Sequence, residues 1–108
     1  MAQFLVQVAY TTEAVAALVN NPQDRLAVVS KSVKKLGGKL IGGWLTFGDY
    51  DTVVVVQLPD NTAATAFALA LGAGGACKAV KTTPLISVKE GLEAMKAAAT
   101  LGYKPPTA

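Results

Sequence analysis

Four consecutive valines, Val53 to Val56, follow a Gly48-Asp49-Tyr50-Asp51 segment that is itself preceded by the strand-like run Lys39 to Phe47. Side chains on a strand alternate between two faces, so a run without a polar member needs cover on both. The Gly-Asp-Tyr-Asp segment reads as a tight turn joining two antiparallel strands. Helices of the same chain can cover one face. A second copy of the chain is expected to cover the other, so the pattern calls for an assembly.

Composition points the same way. Hydrophobic residues make up 52% of the chain and charged residues 16%, against roughly 25% charged in a typical soluble domain. Alanine inflates the apolar count, but the excess also includes the valine runs. With 108 residues the chain is one domain, large enough to bury about two thirds of its unfolded surface. A single domain is expected over residues 1–101, with 102–108 as a tail, because Gly102-Tyr103-Lys104-Pro105-Pro106 carries no periodicity.

Phe4 to Tyr10 reads as a first strand that is largely apolar on both faces. Thr11 or Thr12 can cap a helical turn with Val15, Leu18 and Val19, which Asn20-Asn21-Pro22 interrupts. From Asp24 a stripe of Leu26, Val29, Val33 and Leu36 continues to Gly37-Gly38, a helix stop. Lys39 to Phe47 is the second strand, and Gly42-Gly43 inside it marks a bulge or a close approach that puts Trp44 at a bend. Thr52 to Leu58 is the third strand, ended by Pro59. Asp60 or Asn61 then caps a helix bearing Ala64, Phe67, Ala68 and Leu71. Cys77 to Thr83 is the fourth strand, and Pro84 is expected to end its pairing. Ser87, with Glu90 at N3, forms a capping box for a last helix carrying Val88, Leu92 and Met95.

Two right-handed βαβ crossovers joined by a hairpin give a four-stranded antiparallel sheet with helices on one face, an α+β ferredoxin-like βαββαβ sandwich with an extra C-terminal helix. The first and third strands are central in that plan, and they are the two that are apolar on both faces. Two such sheets are expected to pack face to face across a two-fold axis.

Lys34-Lys35-Leu36-Gly37-Gly38-Lys39, Leu45-Thr46-Phe47-Gly48-Asp49-Tyr50-Asp51, the apolar strand ending in Pro59-Asp60, and Ala68-Leu69-Ala70-Leu71-Gly72 together resemble the GYD domain proteins, up to about Ser87. The resemblance implies a ferredoxin-like fold of the dimeric α+β barrel type and little chemistry. One strand departs from the family pattern: Cys77-Lys78-Ala79-Val80-Lys81 is more apolar than its usual basic and polar version.

The chain has no histidine, which removes Ser-His and Cys-His nucleophile pairs, histidine-ligated haem and the usual zinc sites. No cofactor is called for. Asp49 and Asp51 are the close carboxylate pair, and a turn-stabilising role suits them better than metal binding. Tyr50 either anchors the hairpin or donates to a carbonyl-bearing ligand, with the anchoring role favoured. Cys77 is expected to be a small buried hydrophobe, since strand alternation sends Lys78 to the opposite face. Gly72, Gly74 and Gly75 follow a helix and precede a strand, the reverse of a phosphate loop.

The candidate ligand contacts are Tyr10, Trp44, Thr46, Asp49, Tyr50, Asp51 and Lys81, with Gln7 nearby, bounding a small apolar molecule between the helix-free sheet face and a partner. Side chains of two copies that fill this space completely are the competing expectation. A net charge of +3 with dispersed lysines gives no support for nucleic acid as a partner. No apolar run reaches membrane-spanning length, the N-terminal residues do not follow a signal-peptide pattern, and a single cysteine suits a reducing compartment, so a cytoplasmic location is expected. The expected function is a non-catalytic binding or structural domain working as a homodimer or larger homo-oligomer through the helix-free face. The alternative is a cofactor-independent isomerase or oxygenase using Tyr50 and Asp51 as acid and base. A ligand sensor acting through a protein partner ranks third.

Overall fold

Each helix of the chain starts at a side-chain cap. In the computed structural model, which describes residues 1–107, Thr11 accepts the Ala14 N–H before α1 (Thr12–Asn20), and Asp24 accepts that of Leu26 before α2 (Arg25–Lys35). Asp60 does the same for Ala63 before α3 (Asn61–Ala73), and Ser87 for Glu90 before α4 (Val88–Ala99). These bonds satisfy amides that have no partner inside the helix. The α2 stop is a Schellman turn. Gly37 has φ +83°, its N–H donates to Lys34, and the Gly38 N–H donates to Val33.

Strands β1 (Ala2–Tyr10), β2 (Lys39–Leu45), β3 (Thr52–Leu58) and β4 (Cys77–Leu85) form one antiparallel sheet in the order β2-β3-β1-β4. Thus β1 and β3 are the central strands, as their two-sided apolar pattern requires. Their register pairs Phe4 with Val56, Val6 with Val54 and Val8 with Thr52. These side chains, with Leu58, face α2 and α3 and make the core together with Val33, Ala64 and Phe67. On the opposite face Leu5, Gln7, Val53, Val55 and Gln57 are half-buried within the single chain.

The double glycine in β2 serves two faces at once. The strand bulges between Leu40 and Gly42. A methyl group on Gly43 would stand 2.5 Å from Leu26 Cδ2 and 3.1 Å from Val54 Cγ1, so its absence lets α2 close on the sheet. One on Gly42 would stand 3.0 Å from the Trp44 ring, so the indole lies over the bare backbone of Gly42 on the helix-free face.

Two expectations change. The β2–β3 connection is a six-residue loop, Thr46 to Asp51, in place of a tight turn. Its base is tied by the Thr46 N–H donating to the Asp51 carbonyl and the Thr46 hydroxyl donating to the Tyr50 carbonyl, both at 2.8 Å, so pairing stops at Leu45 and Phe47 is fully exposed. Pro84 does not end β4 either, since it pairs with Phe4 and the strand runs on to Leu85 opposite Gln3. β4 is an edge strand, where a residue without an N–H loses nothing if that position faces solvent.

Candidate functional site

Helix α1 buries none of its residues. Ala14 and Ala17 face the cleft with short side chains that leave space beneath the helix. The space left is a cleft of about 350 Å³ between the sheet and α1, α2 and α3. Val8, Thr52 and Val54 line it from the sheet, Leu18 from α1, Val29 from α2, and Phe67 and Leu71 from α3. Cys77 closes one end. A second compartment of about 450 Å³ shares Tyr10, Leu18, Gln23, Arg25 and Thr52 with the first and extends along Leu26 and Gly43 to Trp44. Together they form one groove with an apolar floor and a few polar groups, the usual make-up of a small-molecule site.

Those polar groups are specific. The Thr52 hydroxyl donates to the Tyr10 phenol at 3.2 Å. A hydroxyl in such a pair keeps acceptor capacity, and the Tyr10 O–H remains able to donate. Arg25 stands at the mouth shared by both compartments, with Nη1 donating to the neutral Gln23 Oε1 at 3.1 Å. The adjacent Asp24 carboxylate is committed to the Leu26 N–H at 2.9 Å. Burial pushes the Cys77 thiol above its ordinary value of 9.0, while the Arg25 charge pulls partly in the other direction. Cys77 is thus a neutral thiol lining the cleft at physiological pH.

The sequence-derived candidates separate into three places. Tyr10 lies in the groove, whereas Trp44 borders its outer end with the indole turned to the helix-free face, 58% exposed. Asp51 sits beneath the groove as a structural acceptor, its Oδ2 taking the Tyr10 N–H at 2.8 Å. The Asp51 N–H donates in turn to the Val8 carbonyl, so the residue bridges the loop to β1. Thr46, Asp49 and Tyr50 belong to the loop and do not line the groove, and Lys81 lies on exposed β4 opposite Gln7. Among the described residues no group of three or more His, Cys, Asp or Glu could hold a metal ion. No helix there is long and apolar enough to cross a membrane.

Sequence reasoning passed over Arg25, although it left a signal. It is the only arginine in the chain, and it occupies the first position of α2, where the helix dipole disfavours a cation. Phe67 and Leu71 gave no site signal, since their spacing is that of any core-facing helix.

A four-stranded antiparallel sheet with helices against one face and a groove between the layers defines a small α+β domain of the ferredoxin-like type. The crystal structure of FFRP-DM1 shares this fold with a TM-score of 0.51 at 13% sequence identity, the match covering 80% of this chain and 100% of that one. The GYD domain model matches residues 4–95, and the chain belongs to the GYD domain family. No curated protein matches it in sequence.

Proposed function

We propose that this protein is a non-catalytic binding domain for a compact apolar molecule bearing an anionic group, and that it works as a homodimer through the helix-free sheet face. The carrying observation is the groove under α1, with its apolar floor and Arg25 at the mouth. A carboxylate or sulfonate at the mouth meets the Arg25 guanidinium, and the apolar body replaces water along Leu18, Val29 and Phe67. Self-association is supported by half-buried Leu5, Val53 and Val55 and by largely exposed Trp44 on one continuous face.

Anilinonaphthalene sulfonate, an apolar anion with its own fluorescence, tests the binding reading. Saturable binding with a rise in the probe's own emission is expected. Arg25→Gln is expected to weaken it about 10-fold or more, the scale of losing a charged hydrogen bond. Equal affinity of the wild type and Arg25→Gln would remove Arg25 from the site, and absence of saturable binding would remove the site itself.

A further inference from the structure

Helix α4 buries none of its residues. Val88, Leu92 and Met95 fall at i, i+4 and i+7 on one stripe and are 81%, 52% and 68% exposed. An isolated helix of 12 residues is marginal in water, because most helical stability in proteins comes from packing an apolar face. This one has a Ser87 cap and an apolar stripe, yet among the described residues that stripe stays exposed.

The dimensions of the chain carry the same message. Its radius of gyration is 17.3 Å, where a compact domain of this length has about 13 Å. Its accessible surface is 7726 Å², where a folded monomer of this mass exposes about 5,700 Å². The excess of about 2,000 Å² falls in the range that one subunit of an obligate dimer buries, and exceeds the ~800 Å² per partner of an ordinary stable complex.

We infer that α4 is an arm that packs its Val88–Leu92–Met95 stripe onto a second copy of this chain. Several features select that occupant. The exposed apolar surface is continuous, since Leu85 on the helix-free sheet face and Ile86 lead directly into Val88. Under two-fold symmetry each copy then covers the other's arm, and both surfaces are closed by one contact. The polar side of the helix carries Lys89, Glu90, Glu93 and Lys96, which cancel in charge. An anionic lipid surface would call for an excess of lysine and arginine there.

The inference rests on the self-association proposed above, and sedimentation with cross-linking separates the two. Full-length wild-type protein is expected to sediment as a dimer at micromolar concentration. L92E/M95E places two carboxylates in the contact while leaving the isolated chain's own packing untouched. It is expected to keep its far-UV circular dichroism and to raise the dimer dissociation constant by about 100-fold or more, as loss of two buried apolar side chains implies. In wild-type protein mixed from ¹⁴N- and ¹⁵N-labelled pools, amine cross-linking is expected to join Lys89 or Lys96 to lysines of the other copy in mixed-isotope pairs. A dimer whose dissociation constant is unchanged by L92E/M95E, without such pairs, overturns the arm and leaves the sheet-face dimer standing. A wild-type chain that is monomeric throughout overturns both.

Discussion

Replacing Gly38 by alanine places a methyl group against the Gln57 carbonyl oxygen on β3, with Leu58 Cδ2 2.8 Å away. The carbonyl belongs to the backbone of a central strand and cannot rotate aside, so β2 must retreat where Lys39 pairs with Gln57. One or two ladder hydrogen bonds weaken as a result, at about 0.5–1.5 kcal/mol each. Leu58 is 1% exposed, and forcing it off its packed rotamer costs a further 1–3 kcal/mol or so. The total is roughly 2–4 kcal/mol, a large part of the ~5–15 kcal/mol that holds a domain folded. Urea unfolding followed by Trp44 fluorescence, at one fixed protomer concentration, is the assay. The midpoint of Gly38→Ala is expected to fall by about 1 M or more. Gly72→Ala is the companion: the same methyl group there meets nothing within 4 Å, and near the end of α3 it should stabilise by a few tenths to about 1 kcal/mol. If Gly38→Ala unfolds within about 0.5 kcal/mol of wild type, the tight seating of β2 on β3 is wrong.

Asp51→Ala leaves the Tyr10 N–H without its acceptor and is expected to cost about 1–3 kcal/mol in the same assay. Asp51→Asn keeps an oxygen in that place and should cost less than half as much, whereas equal losses would show that the negative charge is what matters. Cys77 is expected to react with thiol reagents at pH 7–8 more slowly than a free thiol, and more slowly still with the groove filled by anilinonaphthalene sulfonate. Because its folded-state pKa is raised, the Cys77 contribution to stability is present below pH 9.0 and is lost as pH rises through the folded value. Cys77→Ala should therefore flatten the alkaline end of the stability profile, and an unchanged slope would contradict that assignment.

Local signals in the chain were sufficient to locate the elements, though not to fix the ends of β2 and β4. Thr11, Asp24, Asp60 and Ser87 lie directly before apolar-periodic runs and cap the four helices in the structure. Gly37-Gly38 closes α2, and the valines of β3 require a central position, which sets the sheet order. Capping and alternation act over a few residues, so they can be read without knowing what lies across the fold. Family membership was legible for the same reason, since the GYD motifs occur in fixed order along the chain.

The groove was not legible in that way. Arg25, Phe67 and Cys77 are far apart in sequence and meet only because α1 carries alanines where it faces the sheet and stands away from it. Asp51 is one residue from Tyr50 in the loop, but its partner is the Tyr10 amide, 41 positions earlier. Pro84 stays within β4 because that strand lies at the sheet edge. Residue type and spacing alone therefore determined the number, type and order of the helices and strands, the sheet order and the family of this protein, but not the ends of β2 and β4. Tertiary structure decided where empty space lies, which polar groups border it, and that the apolar stripe of α4 is left exposed among the described residues, because each depends on contacts between residues whose separation carries no periodic signal.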